Sequence, residues 1–225
     1  MSSRSTLFAT VIALTILCLP SFGQTTAEGW FNQGMNLSGQ SKYIEAIQAF
    51  DKAIELNPQY NDALRIKGSI LNCLGKYDES LKVWDKVIEI DPQDAVAWAS
   101  KGFSLYGQGE YEGAATAFGN AIKLDPRFAE AWAGKGFALL PLSDYPIESL
   151  DAFDQAIALD PNYGLAWIGN LAARECYGCR DSVFRRAVQL NPKYADDLFT
   201  EYGETQSFQR KVFLNEGCPQ VSANK

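Results

Sequence analysis

The sequence predicts an all-α fold, a solenoid made of stacked helix-turn-helix units. The first observation is that four glycines are evenly spaced along the chain: Gly34, Gly68, Gly102 and Gly136. The second is the same interval between three prolines: Pro58, Pro92 and Pro126. The third is helical spacing, because apolar residues recur at i, i+4 and i+7 inside each period. Such a period is typical of repeat proteins, whose short units bury their apolar faces only against neighbouring units.

Residues 95–128 show how one period forms two helices. The predicted first helix presents one face, formed by Trp98, Gly102 and Leu105. Gly109 ends this helix, because glycine favours a turn. The predicted second helix repeats the spacing with Ala114, Phe118 and Ala121. Pro126 ends it, because proline has no amide hydrogen to continue the helical ladder.

Residues 1–23 are predicted to be a secretory signal rather than part of the fold. An apolar run from Leu7 to Leu19 follows Arg4, and the small residues Ser21 and Gly23 precede the expected cleavage point. The run is shorter than the roughly 20 residues that span a bilayer, although an uncleaved N-terminal anchor is the alternative. We therefore expect an exported chain, secreted, periplasmic or at the cell surface, with no membrane span after cleavage. Disulfides are chemically permitted there.

The repeated residues resemble those of the tetratricopeptide repeat family. The resemblance rests on Trp98, Gly102, Tyr111, Ala114, Phe118, Ala121, Pro126 and their counterparts in the other units. It implies a right-handed α–α superhelix whose first helices line a concave groove, and a general role in binding proteins or peptides. We divide residues 27–194 into five units: 27–60, 61–94, 95–128, 129–163 and 164–194.

The last units depart from the period. The fourth is one residue longer, and Pro141 and Pro146 crowd its inter-helix turn. In the fifth, Leu171 replaces the expected glycine and the turn is compressed. Residues 195–225 no longer match the pattern, and we expect a helix over 195–202 to cap the last repeat, followed by a frayed tail.

The composition excludes several classes of function. The chain has no histidine, so neither a Ser-His-Asp or Cys-His catalytic pair nor a His-liganded zinc site can form. Its formal net charge is −7, and it becomes −8 without residues 1–23, whose one charged side chain is Arg4. This balance argues against nucleic-acid binding. We predict no catalytic residues, no metal site and no cofactor.

The predicted binding groove comprises the first-helix side chains next to the core stripe. Phe103 and Phe137 are equivalent positions one repeat apart, so the middle of the groove should be an exposed apolar strip that suits a peptide or an amphipathic helix. The alternative is that the C-terminal segment covers the strip with Phe208, Val212 and Phe213. The predicted groove residues are Phe31, Met35, Arg65, Ser69, Asn72, Val96, Phe103, Tyr106, Phe137 and Leu140.

Four cysteines remain after signal removal. A structural disulfide is the favoured interpretation: it either closes the turn as Cys176–Cys179 or ties the tail through Cys218, and the sequence leaves the connectivity open. A redox pair lacks the βαβ setting of such motifs, and zinc lacks a fourth ligand. Cys73 lies inside a predicted helix, where we expect a lone thiol.

These observations together predict a non-enzymatic protein-interaction scaffold that works outside the cytoplasm. Its partner would be a protein or peptide segment with apolar side chains, together with some basic ones that meet Glu28, Asp62 and Glu130. Two alternatives stay open: a self-associating structural component of the cell envelope, and, with less support, a redox protein that uses the Cys-x-x-Cys pair.

Overall fold

The computed structural model describes residues 26–142, 147–173 and 189–190. Within the first two of these ranges, the α-helices follow one another with short turns between them, and the described residues contain no strand, which confirms the all-α fold class of consecutive helix-turn-helix units. The helices are α1 (Ala27–Gly39), α2 (Tyr43–Leu56), α3 (Asn61–Cys73), α4 (Tyr77–Ile90), α5 (Ala95–Gln108), α6 (Tyr111–Leu124), α7 (Ala129–Leu139), α8 (Ile147–Leu159) and α9 (Gly164–Ala173).

The helices form two compact subdomains that divide between Ala63 and Leu64, inside α3. In the N-terminal subdomain, α1 packs against α2 and Gly34 lies against the buried ring of Phe50. In the C-terminal subdomain, each helix from α4 to α9 packs against the next one along the chain. The first helices also contact each other, α5 with α7 and α7 with α9.

Aromatic rings inserted against glycines explain why the repeat period keeps both residue types. A Cβ added at Gly102 would lie 3.0 Å from the ring of Phe118 on the second helix of the same unit. A Cβ added at Gly134, on the next unit, would lie 2.5 Å from the same ring. Phe118 is fully buried, so one side chain joins α5, α6 and α7.

The turns between units also repeat a pattern of hydrogen bonds. The Asp125 carboxylate accepts a hydrogen bond from the backbone amide of Arg127, two residues further on. In the equivalent turns, side-chain oxygens accept from the amide two residues further on in the same way; these are the oxygens of Asn57, Asp91 and Asp160. The Trp98 indole donates to the carbonyl oxygen of Pro92 at 3.2 Å. Trp132 and Trp167 make the same bond to the prolines six residues before them. The repeated tryptophan therefore fastens each first helix to the turn that precedes it.

Several predicted segments lie outside the described residues. They are the signal (1–23), the turn of the fifth unit with most of its second helix, and the C-terminal cap and tail (195–225). The stretch of the fourth unit that holds the extra residue begins with a 3-10 turn, Leu140–Leu142, and its residues 143–146 also lie outside the described ranges. None of the helices in the described ranges is both long and apolar enough to cross a membrane.

Candidate binding face

The groove face of the C-terminal subdomain is open at α3 and α5. We use this name for the predicted groove side chains of α3, α5 and α7: Arg65, Ser69, Asn72, Val96, Phe103, Tyr106, Phe137 and Leu140. Ser69 is exposed, Val96 is 44% exposed, and the Arg65 side chain is 37% exposed. Phe103 and Leu140 are half-buried. A partner can therefore reach an arginine, a valine and the edge of a phenylalanine on neighbouring helices.

The expectation of an exposed apolar strip is wrong for two of its residues, Phe137 and Tyr106, which are buried. Phe137 is fully buried, with its ring centroid 5.0 Å from that of Phe153. Tyr106 is 3% exposed, with its ring 5.5 Å from that of Tyr111. Both rings turn toward the second helix of their own unit, because edge-to-face aromatic pairs and apolar burial favour that contact. The strip therefore narrows at α5 and closes at α7.

Asn72 serves to join helices rather than to present a free amide. Its Nδ2 donates to the carbonyl oxygen of Ser100 at 3.2 Å, and its Oδ1 accepts from Oγ of Ser104 at 2.7 Å. Both partners lie on α5. The buried Ser80 hydroxyl on α4 donates to the carbonyl oxygen of Gly68 at 2.9 Å. Satisfied polar groups of this kind hold α3 in register with its neighbours.

Arg65 is oriented by an acidic residue that the groove prediction did not include. Its Nη1 lies 3.0 Å from Oδ2 of Asp94, whose side chain is only 5% exposed. Asp94 also caps α5, because its Oδ1 accepts from the amide of Ala97 at 3.0 Å. An aspartate just before a predicted helix was the available signal. The ion pair keeps the partly exposed guanidinium of Arg65 beside a buried carboxylate on the groove face.

The N-terminal subdomain carries its own predicted groove residues, Phe31 and Met35. Phe31 is half-buried, with its ring 5.8 Å from that of Phe50 and 5.0 Å from that of Tyr60. Met35 is 44% exposed. Burial, followed by the negative charges of Glu28 and Asp62, raises the pKa of the Tyr60 phenol above its ordinary value. The exposed apolar surface of α1 therefore lies in the same compact part of the chain as two carboxylates, Glu28 on α1 and Asp62 at the start of α3.

The perturbed phenol gives a pH-dependent prediction. The fold favours the neutral phenol of Tyr60. The contribution of this phenol to the free energy of unfolding is therefore complete below the ordinary tyrosine pKa of about 10, and it is lost as the pH rises through the pKa in the folded state. Absorbance at 295 nm, with a Tyr60→Phe variant as the difference reference, should show Tyr60 ionising at higher pH than an exposed tyrosine. Glu28→Gln with Asp62→Asn should lower that pKa, whereas the exposed control Glu45→Gln should leave it unchanged. Ionisation of Tyr60 at the ordinary pH in the parent protein would contradict this.

The expectation of a lone thiol at Cys73 is wrong. This half-buried residue ends α3 and is disulfide-bonded. Cys73 is the one cysteine among the described residues, so its partner lies outside them. No local spacing in the sequence signals this bond, because every other cysteine is far from Cys73 along the chain. Cys176, Cys179 and Cys218, the predicted disulfide residues, lie outside the described ranges.

Metal-ligating side chains do not cluster in the part of the chain that the structure describes. Among them, no group of three or more cysteine, aspartate or glutamate side chains converges in a way that could hold a metal ion. A surface cleft of about 430 Å³ lies between α5 and α6, beside Trp98 and Lys101 rather than on the groove face. Lys101 is engaged there, since its ammonium lies 2.6 Å from Oδ1 of Asp85 and 5.6 Å from the Trp98 ring centroid.

Consecutive helical hairpins that repeat along the chain, with aromatic rings packed against glycines, define a helical repeat protein. Family comparison gives the same class: the family described as "Tetratricopeptide repeat" matches residues 27–60, and that described as "TPR repeat" matches residues 68–109 and 102–142. The chain belongs to the tetratricopeptide repeat family. Comparison with curated protein sequences gives no match.

Solved structures of two repeat proteins resemble this one. "MamA 41-end from Desulfovibrio magneticus RS-1" is 26% identical, with a TM-score of 0.57 over 61% of this chain and 77% of that chain. "Crystal structure of MamA protein" is 21% identical, with a TM-score of 0.63 over 76% of this chain and 94% of that one. A third structure, YrrB, is described as "a TPR protein with an unusual peptide-binding site"; it is 19% identical, with a TM-score of 0.59 over 78% of this chain and 91% of that one. The second and third of these structures show a shared fold.

Proposed function

We propose that this protein is a non-enzymatic scaffold outside the cytoplasm, which holds an extended peptide or a helix of a protein partner against its groove face. The repeat architecture is that of a protein-interaction scaffold. The observation that carries the proposal is the open part of the groove face, where Val96, half-buried Phe103 and Arg65 lie on neighbouring helices. An apolar strip beside an oriented guanidinium suits a segment with apolar side chains and an acidic group.

Three further observations support this proposal. Cys73 forms a disulfide, and disulfides persist in oxidising compartments, which favours export behind the predicted signal. The acidic net charge favours a protein partner over nucleic acid. The absence of histidine favours a binding role over acid–base catalysis by imidazole. YrrB, which shares the fold, is described as having a peptide-binding site, and this supports a peptide as the ligand.

A photo-crosslinking amino acid at position 96 tests the proposal in the compartment where the protein works. We expect a discrete crosslinked protein at position 96, and we expect Arg65→Glu to reduce its yield by at least tenfold because the guanidinium is reversed in charge. The matched control is the same crosslinker at position 147, where Ile147 is 67% exposed on a second helix. Equal capture at both positions, or capture that is insensitive to Arg65→Glu, would overturn the assignment of the groove face.

Self-association is a second candidate that one observation favours. Ile44 and Ile147 occupy equivalent places at the starts of α2 and α8, and they are 51% and 67% exposed. The middle units carry Asp78 and Glu112 at the same place. Light scattering across a hundredfold range of concentration separates the candidates: a mass that grows with concentration and returns to one chain in Ile44→Asp/Ile147→Glu would favour assembly.

A further inference from the structure

We propose that this protein has a second interaction surface on α6 and α7, which binds an acidic side chain of a protein partner. We call it the lysine surface, and it consists of Gly119, Lys123 and Lys135. The proposal goes beyond the proposed function, because none of these residues belongs to the groove face. Lys135 precedes Phe137 by two residues, which places the two side chains on nearly opposite sides of α7.

The neighbouring units pair the residue at the place of Lys135 with a carboxylate of the preceding second helix. Lys101 on α5 has its ammonium 2.6 Å from Oδ1 of Asp85 on α4. Asn170 on α9 donates from Nδ2 to Oδ1 of Asp154 on α8, also at 2.6 Å. Both acceptors directly follow the buried aromatic residue of their helix. The repeat therefore adds a polar contact beside the packing of rings against glycines.

The third unit breaks this pattern, because Gly119 stands on α6 where the carboxylate would be. A Cβ added at Gly119 would meet nothing within 4 Å, so the space is open. The lysine itself remains, with the ammonium of Lys135 5.9 Å from the ring centroid of Trp132. The corresponding distance between Lys101 and Trp98 is 5.6 Å. The two lysines therefore lie alike over their tryptophans, and Lys135 is directed toward the place that an aspartate has in the neighbouring units.

The packing of α6 against α7 brings this place close to Lys135. Gly134 contacts the ring of Phe118 so closely that an added Cβ would lie 2.5 Å from it. Lys135 and Gly119 directly follow these two residues in the sequence. They are therefore neighbours across the helix interface, as Lys101 and its aspartate are one unit earlier.

A second charge also changes on the same side of α6. Lys123 lies one helical turn after Gly119, so the two residues are neighbours on the helix surface. The first two units carry Glu55 and Glu89 at the place of Lys123, and each pairs with a lysine three residues before it. The third unit therefore replaces two carboxylates with a glycine and a lysine.

Both cations of the lysine surface are available to another molecule. Lys123 is exposed and Lys135 is half-buried, and neither has an ion-pair partner in the part of the chain that the structure describes. On α8, Glu148 and Asp151 occupy the places that line the cleft beside Lys101 one unit earlier. Both carboxylates are exposed and neither pairs with Lys135, so an acceptor from a partner can approach from the side of Gly119.

A protein segment suits this surface better than a free anion or an anionic membrane. The chain has a formal net charge of −7, which opposes approach to an anionic membrane. Apolar surface adjoins the lysines, because Trp132 is half-buried beneath Lys135. Ile147 is 67% exposed and stands where Glu112 lines the cleft of the preceding unit. An aspartate or glutamate that is followed by an apolar side chain can use both kinds of contact.

Limited acetylation of the full chain tests the open cation without any partner. Lys135 should react about fivefold faster than Lys101, because the Lys101 ammonium is held by a carboxylate. Gly119→Asp restores the carboxylate of the repeat and should slow Lys135 to the rate of Lys101. The matched control Gly119→Ala should leave the rate unchanged. Equal rates at the two lysines in the parent protein, or no slowing by Gly119→Asp, would overturn the proposal.

A defined acidic peptide tests the kind of partner. The probe is a fluorescent Gly-Glu-Leu-Glu-Leu-Gly peptide, and its control carries glutamine in place of glutamate. Binding of the probe should fall about tenfold in Lys123→Gln/Lys135→Gln and in Gly119→Asp. The charge-matched control Lys52→Gln/Lys86→Gln removes two lysines that already have ion-pair partners, and it should keep the parental affinity.

Three outcomes would refute the acidic partner. They are equal binding of the glutamate and glutamine peptides, an equal loss in the charge-matched control, and displacement of the probe by inorganic phosphate at the same concentration. Binding of phosphatidylglycerol vesicles that depends on Lys123 and Lys135 would refute it as well, because the surface would then serve a membrane. The groove face is unchanged in all these variants, so failure here is distinguishable from failure of the proposed function.

Discussion

Phe118→Ala should lower the free energy of unfolding by about 3–5 kcal/mol, the range measured when a cavity replaces a core aromatic ring. The ring is fully buried and lies against Gly102 on α5 and against the position of Gly134 on α7. It also makes an edge-to-face pair with Phe103, with ring centroids 5.2 Å apart. Removing it empties a space that three helices share, and their backbones cannot all collapse into it.

Urea denaturation followed by circular dichroism measures this loss. The matched control is Thr116→Ala on the same helix, away from the Phe118 ring, where the change should stay within about 0.5 kcal/mol. A loss below about 1 kcal/mol for Phe118→Ala would show that the ring does not join the three helices. A lower slope of the transition would instead indicate that the units unfold separately.

Gly134→Ala should destabilise the protein by about 1–3 kcal/mol, although alanine is the better helix former. The added Cβ would lie 2.5 Å from a carbon of the Phe118 ring, so the ring or α7 must move. Gly119→Ala is the matched control, because Gly119 lies within α6 and nothing is within 4 Å of its added Cβ. There the substitution should stabilise by up to about 1 kcal/mol through helix propensity.

The opposite signs of the two glycine substitutions are the measurable result. Combining Gly134→Ala with Phe118→Leu should also reduce the penalty of the alanine, because the smaller side chain leaves room for the methyl group. Equal effects of Gly134→Ala and Gly119→Ala would mean that close approach to Phe118 does not constrain α7.

Much of the fold could be predicted from the sequence because its contacts are local. The ring of Phe118 meets glycines in its own unit and the next one, and the Trp98 indole meets a carbonyl oxygen six residues away. Contacts over such short separations recur with the period of the sequence, so periodicity reports them. The turns are equally local, since an Asp or Asn before each proline binds the amide two residues on.

The groove face was predicted less well because exposure is not a local property. Phe103 and Phe137 stand at equivalent positions and the period holds, but only Phe103 keeps part of its surface open. The repeat pattern predicts that Asn72 faces a ligand, yet its amide bonds to two residues of the next unit. Identical places in a repeat differ when their surroundings differ, and the repeat pattern does not describe those surroundings.

The sequence by itself determined the helix-turn-helix units, their period and the family, because each follows from helical spacing and from contacts between adjacent units. Only the tertiary structure decided that Cys73 forms a disulfide, that Arg65 is held by Asp94, and that the apolar strip closes at α7. The physical reason is distance along the chain. These features depend on groups that are brought together across units or from outside the described residues, and no local spacing in the sequence records them.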